Sequence, residues 1–141
     1  MKQGVEINFA VSDCLAALAL YEKIFPVERL EVTSFPKGQN EAVFTIFGSQ
    51  FHMLDENPEF GLMAPKEPAP IWFNVMVPDI KTVHQKAVDA GCAQVQEITE
   101  MPEMGMSNSM FTDPFGYIWM LHQVHREVSF EDRLRAMGHE V

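Results

Sequence analysis

The sequence predicts an α+β fold of two tandem βαβββ modules forming one curved mixed sheet, and three observations lead there. A seven-residue signature occurs twice, as Ile7-Asn8-Phe9-Ala10-Val11-Ser12-Asp13 and as Phe73-Asn74-Val75-Met76-Val77-Pro78-Asp79, 66 residues apart. Phe47-Gly48 is echoed by Phe115-Gly116, just before the last strand of each half. Strand-like and helix-like patterns also follow in the same order in both halves. Repeated units of this kind cannot bury an apolar face alone, so the copies are expected to pack around a shared cup. Small-molecule sites favour such junctions.

Each element has its own signal. Val5 to Val11 alternates, with Ile7, Phe9 and Val11 on one side and Glu6, Asn8 and Ala10 on the other, as in a strand with two distinct faces. Asp13 reads as the N-cap of a helix whose apolar side carries Cys14, Leu18, Tyr21 and Phe25. Pro26 ends that helix. Strands follow over 28–35, 41–47 and 50–54, separated by turn residues at 36–40 and 48–49. Residues 56–69 read as a linker; prolines at 58, 65 and 68 suit neither a helix interior nor a central strand. The second module, residues 70–125, opens with a strand over 71–77. Asp79 caps a helix bearing Ile80, Val83, Ala87 and Ala90, and Gly91 stops it. Strands are predicted over 93–99, 107–112 and 117–124. Met101 to Met106 is a loop, and Asp113-Pro114-Phe115-Gly116 a turn. Ser129 caps a short final helix over 129–137. One domain over 1–141, with its first module at 4–55, is the expected organisation.

The 141-residue chain is long enough for one sizeable core. Its formal net charge of −10 disfavours nucleic acid, whose phosphates need a basic surface, and anionic membranes. No apolar run approaches a membrane span, and the N-terminus shows no signal peptide. Cys14 and Cys92 lack metal or disulfide spacing and read as buried free thiols. A cytoplasmic protein is expected.

Val11-Ser12-Asp13, Tyr21-Glu22-Lys23-Ile24-Phe25, Phe51-His52-Met53-Leu54 and above all Asp113-Pro114-Phe115-Gly116-Tyr117-Ile118-Trp119-Met120-Leu121-His122 resemble the vicinal oxygen chelate (glyoxalase, bleomycin resistance, dioxygenase) superfamily, and within it the PhnB-like branch. The tail Val128-Ser129-Phe130-Glu131-Asp132 is also similar to that branch. The resemblance spans residues 4 to about 137 and implies a homodimer. That branch is sometimes labelled a demethylubiquinone methyltransferase, but no G-x-G-x-x-G turn occurs here and the module order differs from a doubly wound sheet.

The resemblance also implies where a divalent metal would be held, by side chains from the first and last strand of each module. The matching positions are Glu6 and His52 in the first module and Trp72 and Met120 in the second. Glu6 and His52 suit such an ion; Trp72 offers no lone pair and Met120 only a soft thioether. The cofactor expectation is therefore none, or a weakly held divalent metal on Glu6 and His52. Equally, Glu6 and His52 read as partners of each other in a cup wall. Asn8 and Asn74 share the faces of Glu6 and Trp72, and His122 that of Met120. Together Glu6, Asn8, His52, Trp72, Asn74, Met120 and His122 form the expected ligand pocket, its Trp and Met suited to an apolar or aromatic guest. The spacing Met101, Met104, Met106 occurs in Cu(I)-binding segments, and equally in a hydrophobic lid or dimer contact. His84, His125 and His139 read as surface residues. No catalytic nucleophile signature is present.

Three functions follow. The first is a small-molecule-binding or sequestering protein of the bleomycin-resistance type without a full metal site. The second is a divalent-metal-dependent lyase, isomerase or dioxygenase using Glu6 and His52. The third is a structural dimer with no small ligand.

Overall fold

A computed structural model describes residues 3–140. The chain divides into two compact units, Met1–Ala69 and Pro70–Val141. The first holds β1 (Asn8–Val11), α1 (Cys14–Ile24), β2 (Val27–Val32), β3 (Glu41–Ile46) and β4 (Ser49–Asp55). The second holds β5 (Trp72–Met76), α2 (Ile80–Asp89), β6 (Ala93–Met101), β7 (Met106–Thr112), β8 (Ile118–Val124) and α3 (Phe130–Ala136). Each unit folds its own four-stranded mixed sheet, in the orders β1-β4-β3-β2 and β5-β8-β7-β6. The first and last strands of each are parallel and the other pairs antiparallel. This is the predicted βαβββ order, twice.

The strand register supports the internal repeat. Asn8 lies opposite His52, and Asn74 opposite Met120. Alternation along each strand then gives one face to the helix and leaves the other open. In the first unit Phe9, Val11, Phe44, Ile46 and Met53 are buried with Cys14, Leu18, Tyr21 and Ile24 of α1. Rings add direction to that core: Phe44 stacks on Phe51, with centroids 5.5 Å apart. In the second unit Val75, Phe111, Trp119 and Leu121 are buried with Ile80, Val83 and Ala87 of α2. Phe73 packs against Trp119 with centroids 4.7 Å apart.

The helix starts follow from their caps. Asp13 accepts from the Ala16 amide, Asp79 from the Thr82 amide and hydroxyl, and Ser129 from the Asp132 amide. Each unit holds a buried aspartate that gathers amides, Asp55 at the end of β4 and Asp113 in the turn between β7 and β8. Asp55 accepts from the amides of Cys14, Gly38 and Asn40. Asp113 accepts from the amides of Phe115 and Tyr117 and from the Trp119 indole, which is what the Asp113–Gly116 turn is built around.

Four expectations are corrected. Ile7 is exposed and outside the strand, because β1 begins at Asn8 and gains its helix-covered face only from Phe9 onward. β2 ends at Val32, since Phe35 instead turns back to Asn40, whose side chain binds both its amide and its carbonyl. The linker holds a short 3-10 turn, Pro58–Phe60, capped by Asn57. Residues 102–104 of the methionine loop form another. Cys14 and Cys92 are buried free thiols, as expected. Burial pushes both thiols up to about 12, so neither is a ready thiolate. Among the described residues no helix is long and apolar enough to cross a membrane.

Candidate functional site

The open face of the first sheet gathers its charges around His52. Its Nδ1 lies 2.6 Å from Glu6 Oε1, and its Nε2 lies 3.4 Å from Glu41 Oε2. Only a doubly protonated ring donates to both carboxylates at once. The hydrogen bond from His52 holds the Glu6 carboxyl below its usual range, with the Asn8 amide adding a smaller effect. The structure thus brings Glu6, Asn8 and His52 together and adds a residue that sequence reasoning missed. Glu41 opens β3, and Val43, two residues on, lies opposite His52. The signal was present in the alternation of Glu41, Val43 and Thr45, but it needed the strand register to become visible. This trio can shuttle a proton or bind a hydroxyl or amine.

The open face of the second sheet is different in kind. Trp72, Asn74 and Met76 of β5 stand beside Ile118, Met120 and His122 of β8, and Asn108 and Met110 of β7 continue the row. Trp72 is 53% exposed and donates its indole N–H to Asn74 Oδ1 at 3.1 Å. Both ring nitrogens of His122 are shielded from solvent and hydrogen-bonded to nothing among the described residues. Burial lowers the His122 pKa from its ordinary value of 6.5, which favours the neutral ring.

His84 corrects its expected surface position. It is buried at 6% exposure, with Nδ1 2.8 Å from the Ser109 hydroxyl and Nε2 2.7 Å from Gln94 Oε1. One neutral tautomer satisfies both contacts, so this is a structural histidine. The helical stripe Ile80, Val83, His84, Ala87 carried that signal. His125 does have a partner, the Ser107 hydroxyl at 2.8 Å. In the methionine loop, the Met101 sulfur accepts from Asn108, while Met104 lines a cavity of about 410 Å³ with Ala136 of α3 and Met137, which caps that helix. That is apolar packing against a helix.

The model of the Glyoxalase/Bleomycin resistance protein/Dioxygenase superfamily matches residues 5–121. The chain belongs to this superfamily. It is similar to an uncharacterised protein of Mycobacterium bovis, 27% identical over 137 residues that cover 93% of this chain and 90% of that protein. Among solved structures, it is similar to the fosfomycin resistance protein FosX from Listeria monocytogenes complexed with Mn(II) and a sulfate ion. That likeness has a TM-score of 0.70 at 16% identity and covers 97% of this chain and 99% of that one. TioX from Micromonospora sp. ML1 is also similar, with a TM-score of 0.62 at 17% identity over 85% of this chain and 98% of that one. At these identities the two structures speak for the superfamily fold.

The similar FosX structure holds Mn(II), and a hard divalent ion asks for nitrogen and oxygen donors. The donor set here fits poorly. Trp72 has no lone pair and spends its N–H on Asn74. Met120 offers a soft sulfur. His52 already turns both nitrogens toward carboxylates. Among the described residues, no group of three or more His, Cys, Asp or Glu side chains is placed to hold a metal ion.

Proposed function

We propose that the protein, a PhnB-like member of the superfamily, binds or sequesters a small organic molecule, an apolar or aromatic guest with a polar edge. The carrying observation is His122. A neutral imidazole with two shielded, unbonded nitrogens costs free energy unless something pairs with it. It stands opposite Met76 and Asn108 and beside Met120, on the face that also presents Trp72 and Asn74. Aromatic and thioether side chains around a few polar groups are the usual make-up of a small-molecule site. Glu6, Asn8 and His52 offer polar contacts on the first sheet's open face. The protein acts as one cytoplasmic domain and pairs with a second copy, which would cover the exposed apolar Val5, Ile7 and Ile71.

Calorimetric titration with a panel of aromatic antibiotics and metabolites tests the reading. At least one compound is expected to bind saturably, and His122→Leu, which keeps the bulk and removes the nitrogens, to weaken it about tenfold. No binder in the panel, or equal binding by the His122→Leu variant, would contradict it.

A further inference from the structure

The second unit contains a separate cavity of about 370 Å³, lined by Glu100, Pro102, Gly105, Ser107, His125 and Arg126 among others. Its volume lies within the range of small-molecule sites. Met106 also lines it, at the end of the β7 row that holds Asn108 and Met110; the other lining residues lie outside the open-face cluster around Trp72 and His122.

The cavity wall is fixed. Gly105 O accepts from the amides of both His125 and Arg126, at 2.7 and 3.2 Å. Arg126 Nη2 donates to Pro102 O at 2.8 Å. Gly105 has φ +69°, and a Cβ there would meet Arg126 O at 2.4 Å, so the approach of the two segments requires glycine. This stitching holds the 3-10 turn against the segment that follows β8.

The polar groups on that wall are not used up by one another. Ser107 and His125 share one hydrogen bond, 2.8 Å long. Arg126 donates one of its five N–H groups to Pro102 and keeps the rest. The Glu100 side chain forms no hydrogen bond or ion pair among the described residues, although it lines the same cavity as Arg126 and His125. A carboxylate and a guanidinium thus border one space without closing an ion pair across it.

We propose that this cavity is a second small-molecule site, for a small amino-acid-like zwitterion. The ligand carboxylate lies toward Arg126, with His125 and Ser107 beside it, and its ammonium lies toward Glu100. Glu100, His125 and Arg126 are exposed, so the preference for a zwitterion comes from charge-assisted contacts at both ends of the ligand adding together.

The test is an amide NMR titration of the full chain with the standard amino acids, and with propionate and propylamine as single-charge probes. At least one amino acid is expected to give saturable shifts at residues 100–107 and 125–126, and to bind at least tenfold more tightly than either probe. Arg126→Gln should weaken it about tenfold or more. Glu100→Gln should do the same, and this variant leaves every described hydrogen bond intact, so loss of folding would not mask the result. Trp72→Phe should leave this binding unchanged. Saturation by propionate as tight as by any amino acid would reduce the cavity to a simple anion site and overturn the proposal. Absence of saturable shifts with every amino acid, or indifference to Glu100→Gln, would overturn it too.

Discussion

In the first module the strand position opposite Asn8 holds His52, and the imidazole stands on the open face between two carboxylates. In the second module the matching position, opposite Asn74, holds Met120, and the histidine with two partners is His84, on the buried face of α2. The same scaffold therefore carries its polar chemistry on opposite sides of the sheet. What stays constant is what folds it: strand order, an aspartate cap on the helix, and an acceptor near the end of the last strand, Asp55 or Gln123, that takes the first amide of the helix. The open face contributes little to the core, so its residues are free to differ. That difference gives one module a titratable trio and the other an apolar wall with a single unsatisfied imidazole.

The largest effects come from the two buried aspartates, which anchor their modules at different places, Asp55 at the end of β4 and Asp113 in the turn before β8. Asp113→Ala leaves two amides and the Trp119 indole without an acceptor, and Asp55→Ala leaves three amides. Each is expected to lose about 3 kcal/mol or more of stability in urea unfolding. A loss under about 1 kcal/mol for either one would show that it does not anchor its module.

A smaller effect separates the two histidines. His84→Ala opens a cavity and strands Ser109 and Gln94, for an expected cost of about 2 kcal/mol or more. His52→Ala removes contacts on an open face with exposed partners and should stay within about 1 kcal/mol. Equal costs would contradict the assignment of one to folding and the other to the face.

The smallest effects are in pH dependence, and they sharpen the same contrast. Burial depresses the His122 pKa, so the unfolded chain takes up a proton near 6.5 that the folded protein resists. Stability should fall as pH drops from above 6.5 through the folded value, and level off below it. The hydrogen bond from His52 depresses the Glu6 pKa, so its contribution is present above 4.5 and lost as pH falls through its lower folded value. His122→Gln should erase the upper window and Glu6→Gln the lower, as followed by thermal unfolding across pH 3 to 8, roughly the span these groups titrate over. Windows unchanged by the two substitutions would sink this assignment.

Much of the fold was legible because its signals are local. Asp13, Asp79 and Ser129 announce helix starts within four residues, and alternation sorts Phe9 and Val11 from Asn8 and Ala10. The turn at Asp113 announces its hairpin in the same way. The site was harder because its partners are distant. Glu41 meets His52 only through the register of two strands, and His84 meets Ser109 across 25 residues of sequence. A polar residue on a helix stripe reads as surface until its buried partners are known. Ile7 failed for a related reason, since alternation continues past the point where any helix covers the strand.

The most direct test of guest binding uses the two tryptophans. Trp119 is fully buried and bonded to Asp113, whereas Trp72 is exposed on the proposed wall. Tryptophan emission should be titrated with an aromatic binder from the panel, before and after dialysis against a chelator, in the wild type and in Trp72→Phe. The account predicts a saturable change that survives chelation and disappears in Trp72→Phe. A change that vanishes with the chelator, or persists undiminished in Trp72→Phe, would contradict it.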